Sequence, residues 1–333
     1  MAKRFKYGYP NEIEKFFELY ENKEFEDSES LKLLENQFEL ILIYFQDEYK
    51  RIFQTNKYLR EEYVQENIFP NTQKKIIEKQ QIKINLCSAI KVYKLLLNEY
   101  QFHKENYYKE NSNFIGFKKK INSYYYFIDD FIQFYSNHMD YFHPEDKTLI
   151  MMRRMEPFDI YDSVELSSQL LHGNIQHEYF SMSKIIPGAI PFIRQTIELV
   201  LKNSLNIHRI KSKNGFSDFK ISGYLFLDFF KEYNSQIKFP AKLSLLRKVY
   251  EWSNIFIHTG EINYYWTIWE AQLIIHSFFP FKEKFDESHY ILFDKELIDN
   301  IEDILSEYIS RKLKISPNDF EIQFRNKYGG LKF

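Results

Sequence analysis

The chain lacks the residues and motifs that most familiar site chemistries require. Its 333 residues include a single cysteine, Cys87, which excludes an internal disulfide and any zinc site built from several cysteines. The apolar residues around Cys87 predict a buried structural thiol. No glycine-rich phosphate loop, dinucleotide fingerprint or nucleophile elbow is present. None of the nine histidines is followed by aspartate, so the sequence does not support a helical metal phosphohydrolase of the HD type.

Long apolar runs and an excess of one charge are also missing. The longest apolar stretches, such as residues 40–45, fall far short of the ~20 residues that span a membrane. The basic N-terminus is not followed by the apolar segment of a secretory signal. Lys and Arg number 45 against 47 Asp and Glu, for a formal net charge of −2, so no general attraction to nucleic acid or membrane follows. We expect a cytoplasmic protein with no membrane partner.

Turn-forming residues are scarce, and helical spacing dominates what is present. Only 9 Gly and 9 Pro punctuate the chain, whereas Phe and Tyr number 33 and 26. Apolar residues recur every three or four positions, which predicts an all-α, multi-helix bundle. In the N-terminal half, helices are predicted at 11–21, 72–108, 118–135 and 144–154, with a turn at 111–116. A further helix is predicted to begin at Ser28 or Ser30, and its buried residues are Leu31, Leu34, Phe38, Ile41 and Phe45.

A domain boundary is predicted at Glu156-Pro157-Phe158. The residues before it, 1–155, form an N-terminal helical domain of unknown role. The residues after it, 156–333, form a C-terminal bundle on which that domain packs. The expected helices of this bundle are 161–172, 190–206, 216–234, 241–258, 262–279 and 294–313, and prolines and glycines at 187–191 and 239–240 are expected to open the second and fourth.

Two predicted helices of the C-terminal bundle carry a polar line beside their apolar stripe. Helix 190–206 has Arg194, Glu198 and Lys202 beside its buried residues Ile193, Ile197, Val200, Leu201 and Leu205. Helix 241–258 has Arg247, Glu251, Asn254 and His258 beside Leu243, Leu246, Tyr250 and Ile257. Such a line is either a solvated face held by i,i+4 pairs or an edge that handles a nucleotide or RNA. In the second case arginine holds a phosphate and histidine moves protons.

Residues 165–173, ELSSQLLHG, also echo residues 251–260, EWSNIFIHTG. Both segments place His seven residues after Glu, and similar helix C-caps are one explanation.

These residues carry a resemblance to a known superfamily. The Arg-bearing segment 192–202, FIRQTIELVLK, followed by a helix ending in SNIFIH at 253–258, resembles the HEPN superfamily over residues 190–280. Its members are small helical bundles, commonly dimeric, of toxin and antiviral defence systems, and many cleave RNA without metal. The family motif is Arg, a short spacer opening with a polar residue, and His. Ser253 stands where that Arg falls, so the arginine of the motif is either supplied in space by Arg194 or Arg247 or is missing from this chain.

The resemblance implies a mechanism and partners. His258 acts as general base or acid in attack of a 2′-hydroxyl on the adjacent phosphate, with Arg247 or Arg194 stabilising charge and Asn254 and Glu251 nearby. The partners are RNA and a second copy of the chain, which brings two His258 side chains to one groove, and no cofactor is implied. The alternative is a non-enzymatic helical interaction or sensor protein, in which Glu198 and Glu251 pair with the arginines.

Other segments are open to two interpretations. Residues 137–146, with two histidines and several carboxylates, and the group His172, His177 and Glu178 fit either loop caps or metal ligands. Lys118–Lys120 with Tyr124–Tyr126, and the predicted basic loop 208–213, fit either nucleic-acid contact or a solvated surface. We favour caps and solvated surfaces, and therefore expect no metal site.

Overall fold

The computed structural model describes residues 10–21, 28–69, 76–110, 114–142, 182–213, 222–259, 264–278 and 291–324. These residues form an all-α, multi-helix fold with two short antiparallel strand pairs. The helices are α1 (Asn11–Glu21), α2 (Ser28–Phe53), α3 (Glu61–Asn67), α4 (Glu78–Glu110), α5 (Phe114–Asn137), α6 (Met139–Phe142), α7 (Met182–Ser204), α8 (Gly223–Glu232), α9 (Leu243–Thr259), α10 (Tyr265–Phe278), α11 (Lys295–Asp299) and α12 (Ile301–Leu313).

Each strand pairs with a strand that is distant in the sequence. Strand β1 (Ile207–Ser212) lies antiparallel to β4 (Phe320–Phe324), and β2 (Ile237–Lys238) lies antiparallel to β3 (Leu292–Phe293). The register of β1 shifts between Ile207 and Arg209, which is a β-bulge. The segment 208–213, predicted as a basic loop, is therefore mostly a strand, and the prediction of a loop was wrong.

The chain divides into two compact units. The first comprises Met1–Gly188 and Thr259–Glu270, and the second comprises Ala189–His258 and Ala271–Phe333. The predicted boundary at 156–158 lies outside the described residues, as do the predicted helices 144–154 and 161–172.

The core of the first unit is built from aromatic rings on helices α2, α4 and α5. Phe38 of α2 stacks on Tyr124 of α5 with ring centroids 3.8 Å apart, and Phe45 lies 4.0 Å from Phe131. Helix α2 presents these rings because its apolar residues alternate at spacings of three and four, which places them on one face. The five residues predicted to be buried on this helix are all buried, which confirms that part of the sequence analysis.

A polar cluster joins α4 to the first turns of α10 inside this unit. The Glu270 carboxylate is fully buried and accepts hydrogen bonds from the Ser88 hydroxyl at 3.2 Å and from Lys91 Nζ at 3.1 Å. Trp266 is buried beside it, and its indole N–H donates to Asn85 Oδ1 at 3.0 Å. A buried carboxylate is tolerated only when it is paired in this way, so the cluster fixes where α10 meets α4.

Several expected boundaries and faces differ from the structure. Helix α4 begins at Glu78 rather than at 72, and Ile77, expected on its buried side, is 78% exposed. Helix α5 begins at Phe114, so the turn expected up to residue 116 is already helical there. Helix α7 begins at Met182 and continues through the prolines that were expected to open it. The buried residues Ile193 and Ile197 anchor its next turns, as predicted.

Candidate functional site

The polar side chains singled out by the sequence lie in the second unit, on helices α7 and α9. Arg194 of α7 donates from Nε to Glu198 Oε1 at 3.3 Å, one helical turn away, and from Nη2 to the Tyr250 hydroxyl of α9 at 3.4 Å. Its guanidinium also lies 5.4 Å from the centroid of the Tyr250 ring. Arg194 is therefore held by a carboxylate and an aromatic residue of its own unit.

Tyr250 is the centre of this network. Its hydroxyl donates to Glu198 Oε1 at 2.7 Å and accepts from the backbone N–H of Gly223 at 3.1 Å, in addition to its bond from Arg194. Gly223 begins helix α8, and a Cβ at that position would lie 2.7 Å from Cζ of the Tyr250 ring. Only glycine leaves room for this approach, so one phenol connects three helices.

Arg247 forms hydrogen bonds with two other carboxylates. It donates from Nε to Glu251 Oε1 at 2.9 Å, the i,i+4 pair expected from the sequence, and from Nη1 to Asp228 Oδ1 of α8 at 2.7 Å. Its guanidinium lies 5.9 Å from the ring of Tyr224, which packs edge-on against Tyr250 with centroids 4.9 Å apart. Tyr224 thus links the two arginine groups into one continuous surface network.

The electrostatics of the network keep the guanidinium groups charged and the Tyr250 phenol protonated. Three carboxylates, Glu198, Asp228 and Glu251, surround two guanidinium groups. Desolvation lowers the pKa of Arg194, but its hydrogen bonds with Tyr250 and its attraction to Glu198 outweigh that and raise the pKa overall. Burial raises the pKa of the Tyr250 hydroxyl, and its hydrogen bond to Glu198 raises it further, so the phenol stays a donor at neutral pH.

His258 and Asn254 lie further along the same helix. His258 is exposed in the last turn of α9, and Asn254 is half-buried one turn earlier. Eleven residues separate Arg247 from His258, which corresponds to a rise of about 16 Å along the helix axis. An imidazole at a helix C-terminus is also favoured by the helix dipole alone, without any catalytic role.

The apolar face of α9 is rotated from the predicted one. Leu246 and Tyr250 are buried as expected, but Leu243 is only half-buried and Ile257 is 41% exposed. Ser253 is fully buried, and its hydroxyl donates to the Tyr250 backbone carbonyl at 2.8 Å. The position where the HEPN resemblance expects an arginine therefore lies in the core of this unit.

Half of the network could not be found from the spacing of residues in the sequence. Tyr250 was assigned only to the apolar stripe, and Tyr224, Asp228 and Gly223 were not singled out at all. The hydrogen bonds of these residues join positions 19 to 56 residues apart in the sequence. The shortest separation is that of Asp228 and Arg247, and the longest is that of Arg194 and Tyr250. The one local signal was Ser222-Gly223, because Ser222 caps helix α8 by accepting from the Tyr224 N–H.

Metal sites find no support in the described part of the chain. No group of three or more His, Cys, Asp or Glu residues there could hold a metal ion. In the segment 137–146, His138 lies 3.5 Å from Glu78 Oε1, and residues 143–146 lie outside the described residues. The groups His172, His177 and Glu178, and the side chains of Lys118–Lys120, also lie outside them. Cys87 is buried, as predicted.

The cluster around Glu270 offers no reaction centre either. Ser88 and Lys91 are one turn apart on α4 and both contact Glu270, an arrangement that can activate a serine. Ser88 is fully buried, however, so no substrate reaches its hydroxyl. The cluster is a structural contact within the first unit.

No protein-family model, no curated protein and no solved structure matches the chain. Within the described residues, no helix combines the length and the apolar character that crossing a membrane requires.

Proposed function

We propose that this protein is a non-enzymatic helical interaction protein of the cytoplasm. One observation carries the proposal: both candidate arginines are held by carboxylates, and the candidate histidine lies about 16 Å from Arg247 along α9. A phosphate at Arg194 or Arg247 would compete with three carboxylates already in place. Such a network orders three helices, which is what a rigid binding module needs.

Exposed apolar side chains on helix α2 add support. Leu33, Leu40 and Ile43 are 47%, 44% and 51% exposed and lie on one side of the helix, at spacings of seven and three. Large aliphatic residues grouped on a surface are more typical of protein contacts than of catalysis. The homodimer and the RNA partner implied by the HEPN resemblance stay predictions beside this proposal.

The test is an RNA-cleavage assay of the purified full chain with EDTA present, followed by end-group analysis of the products. We expect no cleavage by the wild type, and no difference between the wild type and His258→Ala. The matched control is His276→Ala, because His276 is also an exposed histidine in the last turn of its helix. Cleavage that leaves cyclic phosphates, persists in His276→Ala and is lost in His258→Ala would overturn the proposal and establish an HEPN-like ribonuclease.

A further inference from the structure

The β1–β4 strand pair carries a row of cations on one face. Residues alternate between the two faces of a strand, and Ile210 is buried on the inner face. Arg209 and Lys211 therefore lie on the outer face, and Lys213 continues the row because its N–H donates to the Asp319 carbonyl at 2.9 Å. Arg209 and Lys213 are exposed and Lys211 is half-buried. Alternate residues of a strand are about 6.7 Å apart, so the row extends over roughly 13 Å.

The opposite strand adds one amide and one carboxylate to this outer face. Gln323 lies across from Arg209 and Glu321 lies across from Lys211. Arg209 Nε donates to Gln323 Oε1 at 2.8 Å, which holds the guanidinium on the ribbon. The nearby Asp319 carboxylate accepts from the Ser316 N–H in a capping box at the turn before β4. The outer face therefore carries three cationic side chains and one carboxylate.

The side chains of this face select the kind of ligand. The row contains no aromatic or large aliphatic side chain, so it has neither the anchors of a protein interface nor the platforms on which single-stranded bases stack. Guanidinium, ammonium and amide groups are those that contact phosphates and base edges. The ligand chemistry that fits is a nucleic-acid duplex.

The shape of the ribbon decides which duplex fits. Paired strands lie about 4.8 Å apart, and the major groove of B-form DNA, about 12 Å wide, admits a two-stranded ribbon. The major groove of A-form RNA is too deep and narrow for side chains to reach into. We propose that the outer face of the β1–β4 ribbon binds the major groove of duplex DNA, with Lys211 and Lys213 on phosphates and the Arg209–Gln323 pair at base edges.

The test is fluorescence anisotropy of the full chain with a short labelled DNA duplex, the RNA duplex of the same sequence and the single DNA strand, across 50 to 200 mM salt. We expect the DNA duplex to bind most tightly, with a slope of log K against log salt of about −2 for the two phosphate-neutralising lysines. The triple variant Arg209→Gln, Lys211→Gln, Lys213→Gln should bind at least ten-fold more weakly, with a slope near zero. Glu321→Gln should tighten binding.

The control is a second triple variant, which removes three positive charges from other parts of the surface. It replaces Lys79, Lys231 and Lys295, which are exposed and lie on three different helices, with glutamine. It should bind DNA like the wild type, and circular dichroism should show that both triple variants are folded. The proposal is overturned if the wild type does not bind duplex DNA at the lowest salt, if the RNA duplex binds as tightly, or if both triple variants lose the same affinity. None of these results bears on the proposal that the protein is non-enzymatic, because that proposal is tested by the RNA-cleavage assay alone.

Discussion

Tyr250 connects more of the second unit than any other residue of the candidate site. Its hydroxyl contacts the backbone of α8 and two charged side chains of α7, while its ring lies against Tyr224. The ion pairs around it are between a quarter and a half exposed, and such pairs contribute little to stability. The buried hydrogen bond from Gly223 to the phenol is the part of the network whose loss should be measurable.

Removing the hydroxyl tests this. Tyr250→Phe leaves the buried Gly223 N–H without its acceptor, so we expect the free energy of unfolding to fall by about 1–3 kcal/mol in urea titrations. The control is Tyr63→Phe, because Tyr63 is 40% exposed and its hydroxyl accepts one long bond, 3.4 Å, from Gln80. The control should change stability by less than about 0.5 kcal/mol. Equal effects of the two substitutions would contradict the central role of Tyr250.

At the scale of single residues, the sequence predicted local pairs and missed distant ones. The spacing of Arg247 and Glu251 predicts an i,i+4 contact, and the structure confirms it. Glu198 pairs with Arg194, as the non-enzymatic alternative expected, but its hydrogen bond from Tyr250 was not predicted. Helical periodicity constrains only neighbours on one helix, whereas the partner of Tyr250 on α8 depends on how three helices pack. No spacing in the sequence carries that information.

A buried carboxyl group of helix α5 accepts a hydrogen bond from the first residue of helix α10. Asp130 of α5 is 5% exposed, and its Oδ2 accepts from the N–H of Tyr265, the first residue of α10, at 2.6 Å. Burial raises the pKa of Asp130 to about 8, Asp129 raises it as well, and the bond from Tyr265 opposes both. The carboxyl is therefore protonated at neutral pH in the folded chain and ionised in the unfolded one.

This difference makes the stability of the wild type depend on pH. Between the ordinary pKa of 3.8 and the folded value of about 8, the unfolded chain has lost the proton that the folded chain keeps. Asp130 therefore lowers the free energy of unfolding by about 1.4 kcal/mol for each pH unit gained in that window. Asp130→Asn removes this contribution, so the stability of the variant relative to the wild type should rise between pH 5 and pH 7 in urea titrations.

The control for the pH experiment is Asp140→Asn, which replaces an exposed aspartate in the same unit. Its stability relative to the wild type should stay constant over that range. If Asp130→Asn instead loses relative stability as the pH rises, the carboxyl is an ionised cap for α10 and its pKa is lowered, not raised.

At the scale of elements, helices could be predicted and strands could not. The apolar spacing of α2 is regular over about four turns, from Leu31 to Phe45. Most predicted helices that fall within the described residues agree with the structure except near their ends. Predicted helix 294–313, however, is divided at Asn300 into α11 and α12, and α3 and α6 were not predicted. Strand β1 was missed because its bulge spaces its buried residues Ile207 and Ile210 three apart, which hides the two-residue period of a strand. Its partner lies more than a hundred residues away, beyond any local pattern.

Each of the two units is assembled from separate stretches of chain. The first unit takes Thr259–Glu270 from the C-terminal half, and this stretch supplies the buried side chains of Trp266 and Glu270. The sequence predicts one boundary, at 156–158, and two continuous domains. A discontinuous unit leaves no trace in local composition, because its pieces are joined only by tertiary contacts.

A fragment that ends at Gly188 tests the discontinuity. It lacks Trp266 and the carboxylate that Lys91 and Ser88 contact, so we expect it to unfold at least 3 kcal/mol more easily than the same unit in the full chain. Hydrogen exchange at the buried amides of α4 would measure this. Adding a peptide of residues 259–270 should restore part of the protection, whereas a scrambled peptide should not. Full protection in the fragment alone would show that the unit does not depend on this stretch.

The two-stranded ribbon also bears on solubility. In the part of the chain that is described, β1 and β4 form a two-stranded sheet, so both are edge strands. Such an edge can recruit strands of other molecules and start aggregation. The bulge at Ile207 and the cations at 209, 211 and 213 are the devices by which natural sheets prevent this. The same lysines that we assign to DNA therefore act as gatekeepers against self-assembly during synthesis and storage of the protein.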